Sequence, residues 1–202
     1  MRVIVIGGTG TIGSAVVKRL STRHEVVVVG HKKGAFQVDL ASPESITSLF
    51  KAVGTCDAVV STAGIAKFAS LDDLTYDDYF IGLKNKLMGQ ANLVRIGRPF
   101  VTNHGSFTLT SGVLSQNPMK GSASISMVNA GLEGFVRAAA IDLPRGLRVN
   151  VVSPPWVTET LIARGMDPSI GIPADQVAQA YLASVEGTMT GQTLDPRQIA
   201  AS

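Results

Sequence analysis

The sequence predicts a doubly wound α/β fold, a mainly parallel seven-stranded sheet with helices on both faces. Short β-branched runs alternate with helically spaced apolar residues from end to end. The strand candidates read as continuous apolar runs rather than in-out alternations, which suits strands covered on both faces. The first run also passes through a glycine-rich turn directly into a helical pattern.

Val3, Ile4, Val5 and Ile6 form the first strand, and Ile12, Ala15, Val16 and Leu20 recur at helical spacing behind the turn. Residues 26–29, all valine, make the second strand, which stops at Gly30; Phe36-Gln37-Val38 is a short third. Ser42 then reads as an N-cap with Pro43 at the first helical position and Glu44 in the first turn, and Gly54 closes that helix. Residues 58–61 are the fourth strand. A long helix is expected from near Thr75 towards Leu93, with Asp77 and Asp78 in its first turn. Residues 107–110 form strand five, 126–143 an Ala/Gly-rich helix halted by Pro144, and 148–152 strand six. A helix over 173–185 and a last strand over 192–194 complete the pattern.

The 202 residues carry 18 Lys and Arg against 15 Asp and Glu, and 45% are apolar. That apolar share excludes a disordered chain, and a dispersed net charge of +3 argues against a dedicated nucleic-acid binder. The single Cys56 forms no intramolecular disulfide, and with three scattered histidines it offers no recognisable metal site. No apolar run is long enough to span a bilayer. The first one breaks at glycine after four residues, too short for a signal-peptide core. With no internal repeat or linker-like stretch, the expectation is a single domain over residues 1–202, cytoplasmic, without nucleic-acid or membrane partners.

The strongest functional signal is Gly7-Gly8-Thr9-Gly10-Thr11-Ile12-Gly13, set between the first strand and the first helix. Lacking Cβ atoms, Gly7 and Gly10 let the backbone turn sharply and approach a pyrophosphate, while Gly13 lets the helix pack on the strands. The N–H groups of the helix start and the helix dipole then favour phosphate. The spacing is G-x-x-G-x-x-G, neither a Walker loop nor the plain G-x-G-x-x-G, and such a triplet also serves as a structural turn that binds nothing. After the second strand the chain reads Gly30-His31-Lys32-Lys33, with no acid for the two ribose hydroxyls of NAD. Two lysines, with His31 as a third donor, suit the 2′-phosphate of NADP(H); the plain alternative is a solvated basic turn. Asp39 is either an acceptor for the adenine amino group or a helix-start residue.

With six further segments in the correct order, these residues resemble the short-chain dehydrogenase/reductase family over essentially the whole chain. Ser61-Thr62-Ala63-Gly64 is similar to the family's Asn-Asn-Ala-Gly motif, with its first two positions changed. Leu109-Thr110-Ser111 is similar to the strand-five segment that ends in the catalytic serine. Glu133-Gly134-Phe135 and Arg148-Val149-Asn150 resemble segments flanking strand six. Ser153-Pro154-Pro155-Trp156-Val157-Thr158 resembles the Pro-Gly motif with the nicotinamide-side threonine, and Thr190-Gly191-Gln192-Thr193-Leu194-Asp195 the closing strand. The resemblance implies a Rossmann-type domain whose loop residues Gly7, Thr9, Gly10, Thr11, Ile12 and Gly13 hold the cofactor. It implies the same of His31, Lys32, Lys33, Asp39, Leu40, Thr62, Ala63, Gly64, Pro154, Val157 and Thr158. It also implies a homodimer or homotetramer, for which Ala130, Gly131, Gly134 and Ala138 permit close helix approach.

One departure matters. The family works with a Tyr-x-x-x-Lys pair on the helix after strand five. Aligned on Glu133-Gly134-Phe135, those positions hold Ile125 and Asn129; counted forward from Ser111, they hold Ser124 and Val128. Neither register supplies a phenol or an ammonium, and Tyr76, Tyr79 and Tyr181 lie elsewhere. In the helix after strand four, the family often has an asparagine three residues before a glycine; here that spacing, ending at Gly89, places Lys86. Two readings stand for Lys86: a proton donor with a lowered pKa at the nicotinamide end of the cleft, or a solvated lysine on an amphipathic helix. Ser111 either orients the substrate heteroatom or is a strand-end hydroxyl bonded to backbone. Asn129 is expected to hydrogen-bond the nicotinamide ribose. His104 falls in the turn before strand five, Met127 reads as packing, and Trp156 as packing or cleft lining. Only eighteen residues lie between Trp156 and Asp175, where longer relatives place a lid.

The expected function is an NADP(H)-dependent oxidoreductase with an altered catalytic set, moving hydride to or from a small carbonyl, imine or activated alkene. The rival is an NADP-binding sensor or scaffold that has lost its chemistry.

Overall fold

The computed structural model describes residues 1–199. Its strands are β1 (Arg2–Ile6), β2 (Glu25–Gly30), β3 (Phe36–Gln37), β4 (Cys56–Ser61), β5 (Val101–Thr110), β6 (Arg148–Val152) and β7 (Thr193–Leu194). They lie in the order β3-β2-β1-β4-β5-β6-β7, and every neighbouring pair is parallel. The expected sheet is therefore wholly parallel. Chain order runs outward from β1 to β3 and then jumps back past β1 to β4. That reversal opens a crevice at the carboxyl ends of β1 and β4, where such folds bind ligands.

The helices are α1 (Thr11–Leu20), α2 (Pro43–Val53), α3 (Tyr76–Gly82), α4 (Gly89–Gly97), α5 (Ala123–Asp142), α6 (Thr158–Ala163) and α7 (Ala174–Glu186). The pleat of β1 shows why its run is apolar throughout. Val3 and Val5 join Val16 and Leu20 of α1 and Tyr181 of α7 on one face. Ile4 and Ile6 join Phe50 of α2, Leu93 of α4 and Leu132 of α5 on the other. Two local signals fix helix starts as the sequence implies. The Ser42 hydroxyl accepts from the Ser45 N–H at 3.1 Å, with Pro43 beside it, and Thr75 and Asp78 cap each other's backbone N–H groups reciprocally.

Several elements depart from expectation. β5 begins six residues early, at Val101, so His104 lies within it rather than in a preceding turn. Its first half is polar and irregular: His104 has φ +63° and donates its N–H to the Arg145 carbonyl at 3.1 Å. A polar, bulged half-strand leaves no apolar run to detect. α5 starts at Ala123, three residues early, because the serine-rich stretch that resembles a loop includes Ser124, which is fully buried. The long helix before β5 is α-helical only at its ends; Leu83–Met88 is π-helical. α6 is an additional element. Met127 is exposed rather than packed, and Gly131 accommodates Leu87 of the same chain, since a Cβ there would lie 3.1 Å from Leu87 Cδ2. Among the described residues no helix is long and apolar enough to cross a membrane. Burial and the Asp57 charge push the Cys56 thiol up to about 12. Iodoacetamide should therefore label Cys56 only after denaturation; a mass shift on the native protein would contradict this.

Candidate functional site

Two clefts lie along the carboxyl edge of the sheet. The first, about 800 Å³, sits at the β1/β4 reversal and is lined by Gly7, Thr9, Gly10, His31, Thr62 and Gly64 among others. Its floor depends on absent side chains. Gly7 has φ +79° and gives its N–H to the Val29 carbonyl at 2.8 Å, and the Gly10 N–H returns to the Gly7 carbonyl at 2.9 Å. A Cβ on Gly13 would fall on that same Gly7 carbonyl. Gly10 is the N-cap of α1 and brings no side chain to cap it, and the first turn holds no acid. The first-turn N–H groups of Thr11, Ile12 and Gly13 therefore suit an anion held against the helix dipole. The cradle fits the diphosphate of a dinucleotide.

The remaining groove residues sort unevenly. Thr62, Ala63 and Gly64 follow β4 into the groove, and Leu40 reaches it from the buried core. His31 lines it, with Nδ1 3.3 Å from the Val38 carbonyl. Lys32 and Lys33 are exposed on the turn after β2, where a Cβ on Gly30 would fall on the Lys33 carbonyl. The side chain of Ile12 packs on the α7 face instead of the groove. The Asp39 carboxylate accepts the Ala41 N–H at 2.9 Å through Oδ1, at the approach to α2, and the residue is exposed. Asn85 and Ile65 line the groove without any sequence signal. The Asn85 side-chain oxygen accepts the Ile65 N–H at 3.0 Å.

The second cleft, about 700 Å³, is lined by Lys86, Ser111, Asn129 and Pro154 on its polar side. Phe68, Val113, Leu114, Ile125 and Trp156 form its apolar side, and Arg164 its margin. Trp156 thus takes its cleft-lining reading. The first of the two helix registers also holds: Ile125 and Asn129 face the cleft, while Ser124 and Val128 are buried elsewhere. Among the described residues no tyrosine lines the cleft. The Tyr181 hydroxyl is buried 2.6 Å from Thr110 Oγ1, and Tyr76 is 78% exposed.

Lys86 is not a solvated lysine. Its Nζ donates to the Ser111 carbonyl at 2.9 Å, and burial lowers its pKa from 10.5 to about 8. Three features place it. The π-helical segment widens the turn that carries it, and its stem lies on Gly64, where a Cβ would come 2.7 Å from Lys86 Cγ. Gln90, fully buried, is the third. Its amide donates to the carbonyls of Lys86 at 3.3 Å and Thr110 at 2.9 Å, and its oxygen accepts the Thr110 N–H at 2.8 Å. No sequence signal marks this helical glutamine. Gln90→Leu would leave buried backbone groups of β5 unpaired and should cost about 3 kcal/mol, read from urea melts.

Ser111 has a partner that neither reading anticipated. Its hydroxyl donates to Oε1 of buried Glu133 at 3.0 Å, and the Ser115 hydroxyl donates to the same oxygen at 2.6 Å. The Val152 carbonyl is a more distant contact at 3.5 Å. The Asn129 amide donates to the Gly112 carbonyl at 3.2 Å, while its Oδ1 is buried without a partner among the described residues. The Val157 side chain belongs to the α7-side core, and Thr158 begins α6 with its N–H bonded to the Ile172 carbonyl at 3.0 Å.

A family model described as Enoyl-(Acyl carrier protein) reductase matches residues 11–200. Among solved structures, the chain is 38% identical to the protein lin1944 from Listeria innocua, with a TM-score of 0.93, over 96% of this chain and 98% of that one. It is 25% identical to a small-chain dehydrogenase solved in complex with NADPH, with a TM-score of 0.84, over 96% and 95% of the two chains. Among curated relatives, it is 28% identical to Carbonyl reductase family member 4 of Danio rerio, covering 95% of this chain and 94% of that protein. A match of this extent, on a wholly parallel sheet with a glycine cradle at its reversal, establishes that the chain belongs to the short-chain dehydrogenase/reductase family of oxidoreductases.

Proposed function

We propose that the chain is an NADP(H)-dependent oxidoreductase in which Lys86 moves the proton that the family's tyrosine otherwise moves. The observation that carries this reading is the enclosed Lys86 ammonium in one cleft with Ser111 and Asn129, where no phenol is present. Support for the cofactor comes from the glycine cradle and from relatives solved with NADPH and with NADP. The first turn of α1 would hold the diphosphate, and His31, Lys32 and Lys33 the 2′-phosphate. Asn129 Oδ1 would accept from a ribose hydroxyl, with Pro154 and the 157–158 backbone on the nicotinamide side. A bound reduced nicotinamide supplies a hydride to the substrate carbon.

Lys86 gives the accompanying proton to the substrate oxygen or nitrogen, and takes it back in the reverse direction. Ser111 has its own proton directed at Glu133, so it offers none to a substrate oxygen. That leaves Lys86 as the acid for a small carbonyl, imine or activated alkene. Reduction should be insensitive to pH below about 8 and decline above it, as the ammonium is lost, and oxidation should show the opposite limb. The apolar Ile125 at the phenol position favours the second reading, an NADP-binding sensor without turnover.

Fluorescence titration of NADPH and NADH tests the cofactor assignment. NADPH should bind more tightly, and a Lys32→Ala, Lys33→Ala double variant should lose about tenfold in NADPH affinity with NADH little changed. Equal affinities in the parent protein would remove the assignment. A homodimer or homotetramer is proposed as the assembly, with exposed Met88 and Met127 on neighbouring helices as its support.

A further inference from the structure

Resting on the redox reading of the same cleft, we propose that the substrate is a carbonyl compound with an apolar body and a carboxylate, which Arg164 binds. Seven of the ten arginines donate to carboxylate, backbone carbonyl or amide oxygens, whereas the side chains of Arg98, Arg137 and Arg164 donate to none among the described residues, and of these three Arg164 lines the cleft. Arg164 sits at the end of α6, and its guanidinium donates to nothing among the described residues, yet it lines the cleft that holds Lys86 and Ser111. Among the described residues, Arg164 and Lys86 are the cations of that lining, and no carboxylate belongs to it.

The walls between these two cations are hydrocarbon and aromatic: Phe68, Val113, Leu114, Ile125 and Trp156. Low-dielectric walls strengthen a charge at the margin beyond its value in open water. They also select an alkyl or aryl body for the substrate. A guanidinium presents a planar fork that pairs with both oxygens of a carboxylate. One guanidinium, with no second exposed cation beside it in the lining, balances a singly charged carboxylate better than a doubly charged phosphate. The reaction stays balanced as before. Hydride adds to the carbonyl carbon, the C=O π bond breaks, the proton from Lys86 goes to oxygen, and the carboxylate is unchanged.

Phenylpropanoate and phenylpropanamide share shape and differ in charge, so calorimetry with both isolates the contribution of Arg164. The parent protein should prefer the carboxylate by about tenfold or more. In Arg164→Gln the ratio should fall towards one, and Arg164→Lys should keep part of it, as a point charge without the fork. Equal affinities in the parent protein, a ratio untouched by Arg164→Gln, or no carboxylate binding at millimolar concentration would overturn the proposal. Tighter binding of phenylethylphosphonate would overturn the carboxylate in favour of a phosphate. NADPH is titrated separately. Failure to bind it defeats the redox reading, while the carboxylate-to-amide ratio on the free protein still decides the role of Arg164.

Discussion

Replacing Lys86 by methionine should remove most reductase activity and at the same time make the protein more stable. The loss of a positioned proton donor is worth about 10²- to 10⁴-fold in rate, so NADPH oxidation with a reducible carbonyl or imine should fall by that order. Stability moves the other way because the fold penalises the charge. The ammonium titrates near 8 in the folded chain against 10.5 ordinarily. The charged form is therefore disfavoured by folding, a cost fully present below pH 8 and fading as pH rises towards 10.5. Methionine keeps the stem on Gly64 and carries no charge. After allowance for the lost bond to the Ser111 carbonyl, the gain at pH 7 should be on the order of 2 kcal/mol, shrinking by pH 10. Urea melts at the two pH values check both sign and slope. A variant less stable at pH 7 than at pH 10, relative to the parent, would show that the ammonium is not strained by burial.

Gly13→Ala should abolish dinucleotide binding and destabilise the fold. The added Cβ would fall on the Gly7 carbonyl, which is backbone and already bonded to the Gly10 N–H, so no flexible group can yield. Either α1 withdraws or the loop opens, and both displace the N–H groups aimed at phosphate. Overpacking of this kind costs about 3 kcal/mol, and affinity for NADPH should drop at least about a hundredfold. Gly134→Ala is the control. It lies inside α5, where a Cβ would meet nothing nearer than Arg137 Nη2 at 3.9 Å, and alanine there should add about 0.5–1 kcal/mol. If both substitutions behaved alike in thermal melts and titrations, the cradle would be no tighter than an ordinary helical glycine.

These two expectations differ in how far the sequence alone reaches. The glycine cradle was legible because its chemistry is local: a strand, three glycines and a helix lie within a dozen residues. The same holds for Ser42 with Pro43 and for Thr75 with Asp78, whose caps close inside one helical turn. Lys86 was legible as a position through family resemblance, but its state was not. Its enclosure depends on Gly64 beneath it and on Gln90 bonding across to β5. The pairing of Ser111 with Glu133 spans 22 residues and two elements, and the polar half of β5 has no apolar period to read. Asp39 shows the converse. A carboxylate beside a nucleotide groove invites a ligand role, and the bond of one of its oxygens to a backbone N–H two residues away shows only in the fold.

The wide turn between α3 and α4 has a consequence for insertions and deletions. Its extra backbone unit is a slack link: deleting one residue within 83–88 would let the hydrogen-bond ladder heal into a regular α-helix. Healing would leave the two flanks nearly where they are, because the wide turn already absorbs the extra residue, and would re-aim only the side chains of the turn itself. Gly82 would stay against Val128 and Gly89 against Leu40, while Lys86 would be re-aimed and its ammonium would leave the Ser111 carbonyl. A change that looks conservative on paper would thus disconnect the chemistry while sparing the helix.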